Sequence, residues 1–171
     1  ALGFVALGFV ALGFVALGRL MVHLLPQKPP YLVVVDRTEW HFGSTPINVL
    51  VIGIAQQGQA ADRSARKGVA VPVAGLALPQ EGGCSGVEQI QVLKRLLKIV
   101  APQDTEAVLA DREFISAQWL EALAERDIPF VVRLRRDRRA GWSRERPTLP
   151  VRLWLRGLDP GQTRVLGSGG A

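Results

Sequence analysis

Two aspartates stand out because each directly follows a short apolar run. Asp36 follows the run 31–35, and Asp111 follows the run 107–110. A carboxylate at the end of a buried strand is costly unless a ligand or partner uses it. Parallel neighbouring strands lie about 4.8 Å apart, so two such carboxylates can share a divalent metal ion, which prefers oxygen ligands. That arrangement is typical of metal-dependent phosphoryl transfer on nucleic acid. The ordinary alternative for either aspartate alone is a turn or helix cap.

The sequence elements predict that both aspartates meet at one edge of a sheet. We expect strands at 31–35, 48–55, 69–78, 108–110 and 128–134, with helices capped by Ser85 and Ser116 after the third and fourth strands. A hairpin-linked trio followed by two right-handed crossovers gives a mixed sheet with helices on its faces. The first and fourth strands are then parallel neighbours. The first helix should face inward through Val87, Ile90, Leu93, Leu97 and Val100.

A basic segment follows the fifth predicted strand. The net charge of +6 and the pI of about 10.4 favour a polyanionic partner, although a merely basic protein would have the same balance. Arginine suits bidentate phosphate contacts, and a tryptophan can stack on a base. A solvated charged surface is the alternative. The predicted DNA contacts here are Arg133, Arg135, Arg136, Arg138, Arg139 and Trp142, and Arg144 and Arg146 lie in the same run.

Two further arginines stand directly beside the aspartates. Arg37 and Arg112 can hold phosphates near a metal ion, or they can pair with Glu39 and Glu113, and the sequence favours neither option. We therefore include both arginines among the predicted DNA-binding residues.

The termini are unusual. Residues 1–18 repeat the pentapeptide Ala-Leu-Gly-Phe-Val, and three interpretations remain open: a duplication that lengthened a helix, a membrane-inserting segment, or coil. Cys84 is the only cysteine and there are two histidines, which makes a disulfide or a zinc cluster improbable and favours a reducing intracellular setting. We expect a helical segment at 1–30, the core at 31–135, and a basic loop with an unfinished β-rich insertion or disordered tail at 136–171. A strand-like patch at 151–155 belongs to that last part.

The motifs together resemble those of bacterial insertion-sequence transposases of the DDE class. The similarity covers roughly residues 20–166 and rests on the segments 36–43, 48–54, 110–115 and 130–135. It implies a ribonuclease H-like fold, magnesium or manganese as cofactor, cleavage and joining of DNA at element ends, and cytoplasmic, nucleoid-associated action as assemblies on DNA. By this resemblance Asp36 and Asp111 are the first and second catalytic aspartates and metal ligands.

One part of the family pattern is missing. The third catalytic residue of the family is a glutamate within a motif of Tyr, Arg, Glu and Lys, but the only tyrosine here, Tyr31, precedes Asp36. Neither Glu145 nor Asp159 is a convincing substitute. We therefore expect a truncated, weakly active or inactive catalytic domain, with a non-catalytic DNA-binding remnant as the alternative. A membrane-anchored structural protein, suggested by the repeat, is the third hypothesis.

Overall fold

The fold is built on a mixed five-stranded sheet. The computed structural model describes residues 14–56, 69–78, 82–135, 137–140 and 148–163. The strand order is β3-β2-β1-β4-β5. Strands β1 to β3 are antiparallel, whereas β4 and β5 run parallel to β1. This is the ribonuclease H-like arrangement that the sequence predicts. The strands are β1 (Tyr31–Phe42), β2 (Thr45–Gln56), β3 (Val69–Leu78), β4 (Thr105–Ala110) and β5 (Phe130–Val132).

The first strand is longer than predicted. It continues past Asp36 to Phe42, because its second half pairs with residues 45–51 of β2 in a tight hairpin. Gly43 has a φ of +62°, a conformation that glycine adopts at low cost in the turn between the two strands. Asp36 therefore does not end its own strand. It lies where the parallel partner of that strand, β4, ends.

Helices pack on one face of the sheet. They are α2 (Gly86–Leu96) and α3 (Ala117–Ala124), and a further helix, α1 (14–24), precedes β1. The core below α2 and α3 contains alternate residues of β1 and β2, as expected for strands that bury one face. Its members include Val33, Val35, Leu50, Ile52, Ile54, Leu93, Phe114, Trp119 and Leu123.

The caps of α2 and α3 were predicted correctly, and the buried face of α2 was predicted in part. Of its predicted inward residues, Leu93 and Val100 are buried, and Ile90 and Leu97 pack against the core. Ser85 and Glu88 form a capping box, and the Ser116 side chain accepts from Trp119 N–H. The inward residues of α2 are Gln89, Val92, Leu93 and Leu96, whereas Val87 is 59% exposed. The helix ends at Leu96, so Leu97 and Val100 lie in and after the following turn. The buried face of α2 is therefore displaced by about one residue from the predicted face.

The described part of helix α1 starts at residue 14, in the repeat-bearing segment. Its residues Met21 and Val22 pack against the core, and Arg19 Nε and Nη2 donate to the Lys98 carbonyl at 3.1 and 2.9 Å. The helix approaches β3 so closely that a Cβ at Gly18 would collide with the Val73 carbonyl oxygen. Residues 1–13 and 57–68 lie outside the described residues. Among the helices that the structure describes, none is both long and apolar enough to cross a membrane.

Residues 133–171 form a second compact unit. Its described part contains a two-stranded antiparallel sheet, β6 (Arg139–Ala140) and β7 (Leu149–Pro150), followed by the helical turn α4 (Val151–Trp154). The prediction of a strand at 151–155 is therefore wrong. A short alternation of apolar residues occurs in helices as well as in strands. Here the segment is helical, and Trp154 Nε1 donates to the Ala140 carbonyl at 3.2 Å.

Two serine caps provide a test of how α2 and α3 are held. Ser85→Ala removes a cap alone and should lower the free energy of unfolding by about 1 kcal/mol. Ser116→Ala also removes the hydroxyl that donates to the buried Gln89 Oε1 at 2.8 Å, so its loss should reach about 2–4 kcal/mol. Urea unfolding of both variants measures the difference. Equal losses would mean that the Ser116–Gln89 bond adds no stability.

Candidate active site

The two predicted catalytic aspartates occupy matching positions on neighbouring strands. In the parallel pairing of β1 with β4, Val35 lies opposite Ala110, and Asp36 and Asp111 are the next residues of the two strands. Strands paired in this way are about 4.8 Å apart. Both aspartates are exposed. The fold therefore brings these two positions together at one edge of the ladder, as the sequence predicts, while their catalytic role stays a prediction.

Asp36 belongs to the face of the sheet opposite α2 and α3. Its pairing partner on β2 is Val51, and together with Val34 and Thr38 they line a shallow cavity of about 300 Å³. The Arg37 backbone N–H donates to Asp36 Oδ1 at 2.8 Å. Among the described residues neither aspartate carboxylate forms an ion pair, so both keep oxygen atoms available for a cation.

Arg37 points to the other face of β1, since successive side chains of a strand alternate. Its pairing partner is the buried Leu50. Arg37 Nε donates to Glu113 Oε2 at 3.2 Å, and Nη1 donates to Glu39 Oε2 at 3.0 Å and to Asn48 Oδ1 at 3.3 Å. The hydrogen bond to Glu113 and the charge of Glu113, followed by the hydrogen bond to Glu39 and its charge, raise the pKa of the guanidinium, while burial opposes them in part. Of the two options for Arg37, the structure shows the pairing with Glu39 and Glu113.

Two buried polar side chains extend this network and were missed in the sequence. Asn48 Nδ2 donates to the Gly82 carbonyl at 3.0 Å. Gln89 Nε2 donates to the Glu113 carbonyl at 3.4 Å, while Gln89 Oε1 accepts from Ser116. Both amides are at most 3% exposed. A polar residue at a position that helix or strand periodicity assigns to the core is the sequence signal that would have identified them.

Arg112 differs from Arg37. It lies in the turn after β4, is exposed, and has no hydrogen bond or ion pair among the described residues. It is therefore available to a phosphate, whereas Arg37 is already bound to three acceptors.

The described arginines of the basic segment are all exposed. Arg133, Arg135 and Arg138 are among them, and Arg139 Nε donates to Thr148 Oγ1 at 3.2 Å. The predicted contacts Arg136 and Trp142, and also Arg144, Glu145 and Arg146, lie outside the described residues. Their role in DNA binding stays a prediction.

The two aspartates suit a magnesium-type ion, although they supply few ligands. Magnesium is commonly held by one or two carboxylates, with water and substrate phosphates completing the shell. Within the described ranges, no group of three or more His, Cys, Asp or Glu side chains is arranged to hold a metal ion. A site at Asp36 and Asp111 would therefore depend on further ligands from outside this pair.

Comparison with known protein families identifies the family of this chain. A sequence profile described as the transposase DDE domain matches residues 27–157. The chain belongs to this family. No curated protein matched the chain in a sequence comparison. The family assignment supports the predicted transposase class.

Two solved structures are similar to this DDE domain at low identity. One is a chain of the simian T-cell lymphotropic virus intasome in complex with PP2A regulatory subunit B56 gamma, with 13% identity and a TM-score of 0.43 over 67% of this chain. The other is the HTLV-2 integrase catalytic core domain in complex with magnesium, with 11% identity and a TM-score of 0.42 over 63% of this chain. This chain spans 38% and 63% of their respective lengths.

Cys84 of the DDE domain is not activated as a nucleophile. Burial raises the pKa of its thiol, and the hydrogen bond from Gln89 Nε2, at 3.3 Å to Sγ, opposes this effect only in part. A nucleophilic cysteine needs a lowered pKa, because the thiolate is the reactive form.

Alkylation tests this assignment. At pH 8 the folded chain should react with iodoacetamide several-fold more slowly than the same chain in urea, because a raised pKa leaves less thiolate in the folded state. Mass spectrometry over time measures the modified fraction of Cys84. The two rates should converge as the pH rises above the folded-state pKa. A faster reaction in the folded chain would contradict the assignment.

Proposed function

We propose that this chain is the catalytic domain of a bacterial insertion-sequence transposase, with Asp36 and Asp111 as its first and second catalytic aspartates. The observation that carries the proposal is the register of β1 and β4. It sets two exposed carboxylates side by side within a chain of the DDE family. The substrates would be transposon ends and target DNA, in the bacterial cytoplasm and at the nucleoid.

The proposed chemistry requires a divalent ion, Mg²⁺ or Mn²⁺. When bound, such an ion activates the attacking water or hydroxyl and stabilises the leaving oxygen in phosphoryl transfer. Asp36 and Asp111 would hold it through their free carboxylate oxygens. The Arg37 backbone N–H would orient Asp36 through its bond to Oδ1. The chain's own residues would thus hold the ion and orient one of its ligands.

The DNA backbone would be held by arginines beyond the aspartates. Arg112 is exposed next to Asp111, and Arg133, Arg135 and Arg138 of the basic segment are exposed as well. Contacts of this kind go to phosphates and carry no sequence information. The net charge of +6 supports a salt-dependent, sequence-independent component of binding. Self-association on DNA is part of the proposal through the family relationship.

A second candidate function is DNA binding without catalysis. It is favoured by the absence, among the described residues, of a third carboxylate grouped with the two aspartates. On this hypothesis the chain would bind DNA through its arginines and hold a metal ion weakly, but would not transfer strands. The proposed catalytic domain would have low activity for the same reason.

Metal binding tests the role of the two aspartates. Asp36→Asn and Asp111→Asn should each raise the dissociation constant for Mn²⁺ by at least about 10-fold, and the double variant should abolish measurable binding, because each removes a charged ligand. Glu106→Gln is the matched control, because it removes an exposed carboxylate from β4, the strand that directly precedes Asp111. Electron paramagnetic resonance of free Mn²⁺ measures the binding.

Nicking of a supercoiled plasmid then separates the two functions. Mn²⁺-dependent nicking that disappears in the double variant would support a catalytic domain with an additional ligand. Salt-sensitive DNA binding without nicking would support the non-catalytic alternative. Equal Mn²⁺ affinity of the wild type and the double variant would refute the assignment of both aspartates.

A further inference from the structure

We infer that Arg37 is a positioning residue that ties the turn carrying Asp111 to strand β1, and that it does not bind DNA phosphate. This inference rests on the proposed function of Asp36 and Asp111. It assigns different roles to two of the Asp-Arg pairs of the chain, Asp36-Arg37 and Asp111-Arg112, which are identical as dipeptides. The arginine of the first pair is structural support for the site, and that of the second pair faces solvent.

The Arg37 side chain lies on the face of the sheet opposite to Asp36. Asp36 pairs with Val51 and lies on the cavity face of the sheet, whereas Arg37 pairs with Leu50 and lies on the helix face. A phosphate bound between the Asp36 and Asp111 carboxylates would therefore approach from the side that the Arg37 guanidinium does not face.

The guanidinium of Arg37 already donates hydrogen bonds to three side chains. Nε and Nη1 are used by Glu113, Glu39 and Asn48. A bidentate grip on phosphate pairs Nη2 with either Nε or Nη1, so it would displace at least one of these partners. The side chain of Arg37 is only 21% exposed, which makes such an exchange unfavourable.

Glu113 connects Arg37 to the turn that carries Asp111. Glu113 lies two residues after Asp111, its carboxylate is bound by Arg37, and its carbonyl is bound by Gln89. The turn is closed by the Phe114 N–H, which donates to the Asp111 carbonyl at 2.9 Å. The guanidinium thus connects β1, which carries Asp36, with the turn that carries Asp111. Loss of this connection would free the turn while leaving both aspartates in the chain.

The test compares Arg37→Gln with Arg112→Gln, which removes the same charge from the other Asp-Arg pair. Mn²⁺ affinity is measured in the absence of DNA, and the salt dependence of binding is measured with a fluorescent DNA duplex. Arg37→Gln should raise the dissociation constant for Mn²⁺ by roughly 10-fold, as losses of outer partners of metal ligands do, with an unchanged salt slope. Arg112→Gln should leave Mn²⁺ affinity unchanged and lower the magnitude of the salt slope by about 1.

A second variant keeps the test valid if Arg37→Gln fails to fold. Glu113→Gln retains the size of the side chain and removes the charge that Arg37 binds. It should weaken Mn²⁺ binding as Arg37→Gln does, and the double variant should be no worse than either single variant, because all three break the same link. Thermal unfolding of each variant, followed by circular dichroism, should show the same non-additivity.

The outcomes distinguish this inference from the proposed function. A wild-type chain that binds no Mn²⁺ would refute the metal site, while non-additive unfolding of Arg37→Gln and Glu113→Gln would still support the link between strand and turn. A lower salt slope in Arg37→Gln would overturn the inference, since it would make Arg37 a phosphate ligand. Fully additive losses in the double variant would overturn it as well.

Discussion

The candidate site depends on the parallel pairing of β1 with β4. Residues 31–35 are apolar and fill the centre of the sheet, with Val33 and Val35 at most 2% exposed. Because parallel strands require a crossover, the two aspartates are separated by β2, β3 and α2 along the chain and meet only through this pairing. A slip of one residue in the register would move the aspartates to opposite faces of the sheet. Burial of alternate valines on one face is what prevents that slip.

The helix face of the sheet shows how a buried polar network can coexist with this core. Asn48 and Gln89 are nearly inaccessible, and each has hydrogen-bond partners, as buried polar groups require. They lie at the end of the core where the apolar side chains of β1 give way to Arg37. The network replaces apolar packing at the point where a turn must be held in place. Leaving any one member unpaired would cost about 1–3 kcal/mol, so its members hold one another in place.

Much of the fold could be predicted because its patterns are long or chemically specific. The apolar runs of the central strands, the Ser85–Glu88 capping box and the Ser116 cap each point to one local structure, and the strand order follows from handedness. The buried face of α2 could be predicted only in part, because Gln89 is buried and Val87 is exposed, against the polarity of both. Tertiary contacts with Ser116 and Glu113 stabilise Gln89 there, and these contacts connect residues far apart in the sequence.

The pairs Asp36-Arg37 and Asp111-Arg112 show the limit of local sequence most clearly. Arg37 is within a strand that has a second partner, β2, so the pleat directs its side chain toward Asn48 and the helix face. Arg112 follows the last residue of β4, where the ladder has ended and no pleat determines its direction. The same dipeptide therefore places one arginine in a buried network and the other in solvent. Whether an arginine beside an acidic residue serves structure or substrate is decided by whether its strand continues, and that depends on pairing with a distant segment.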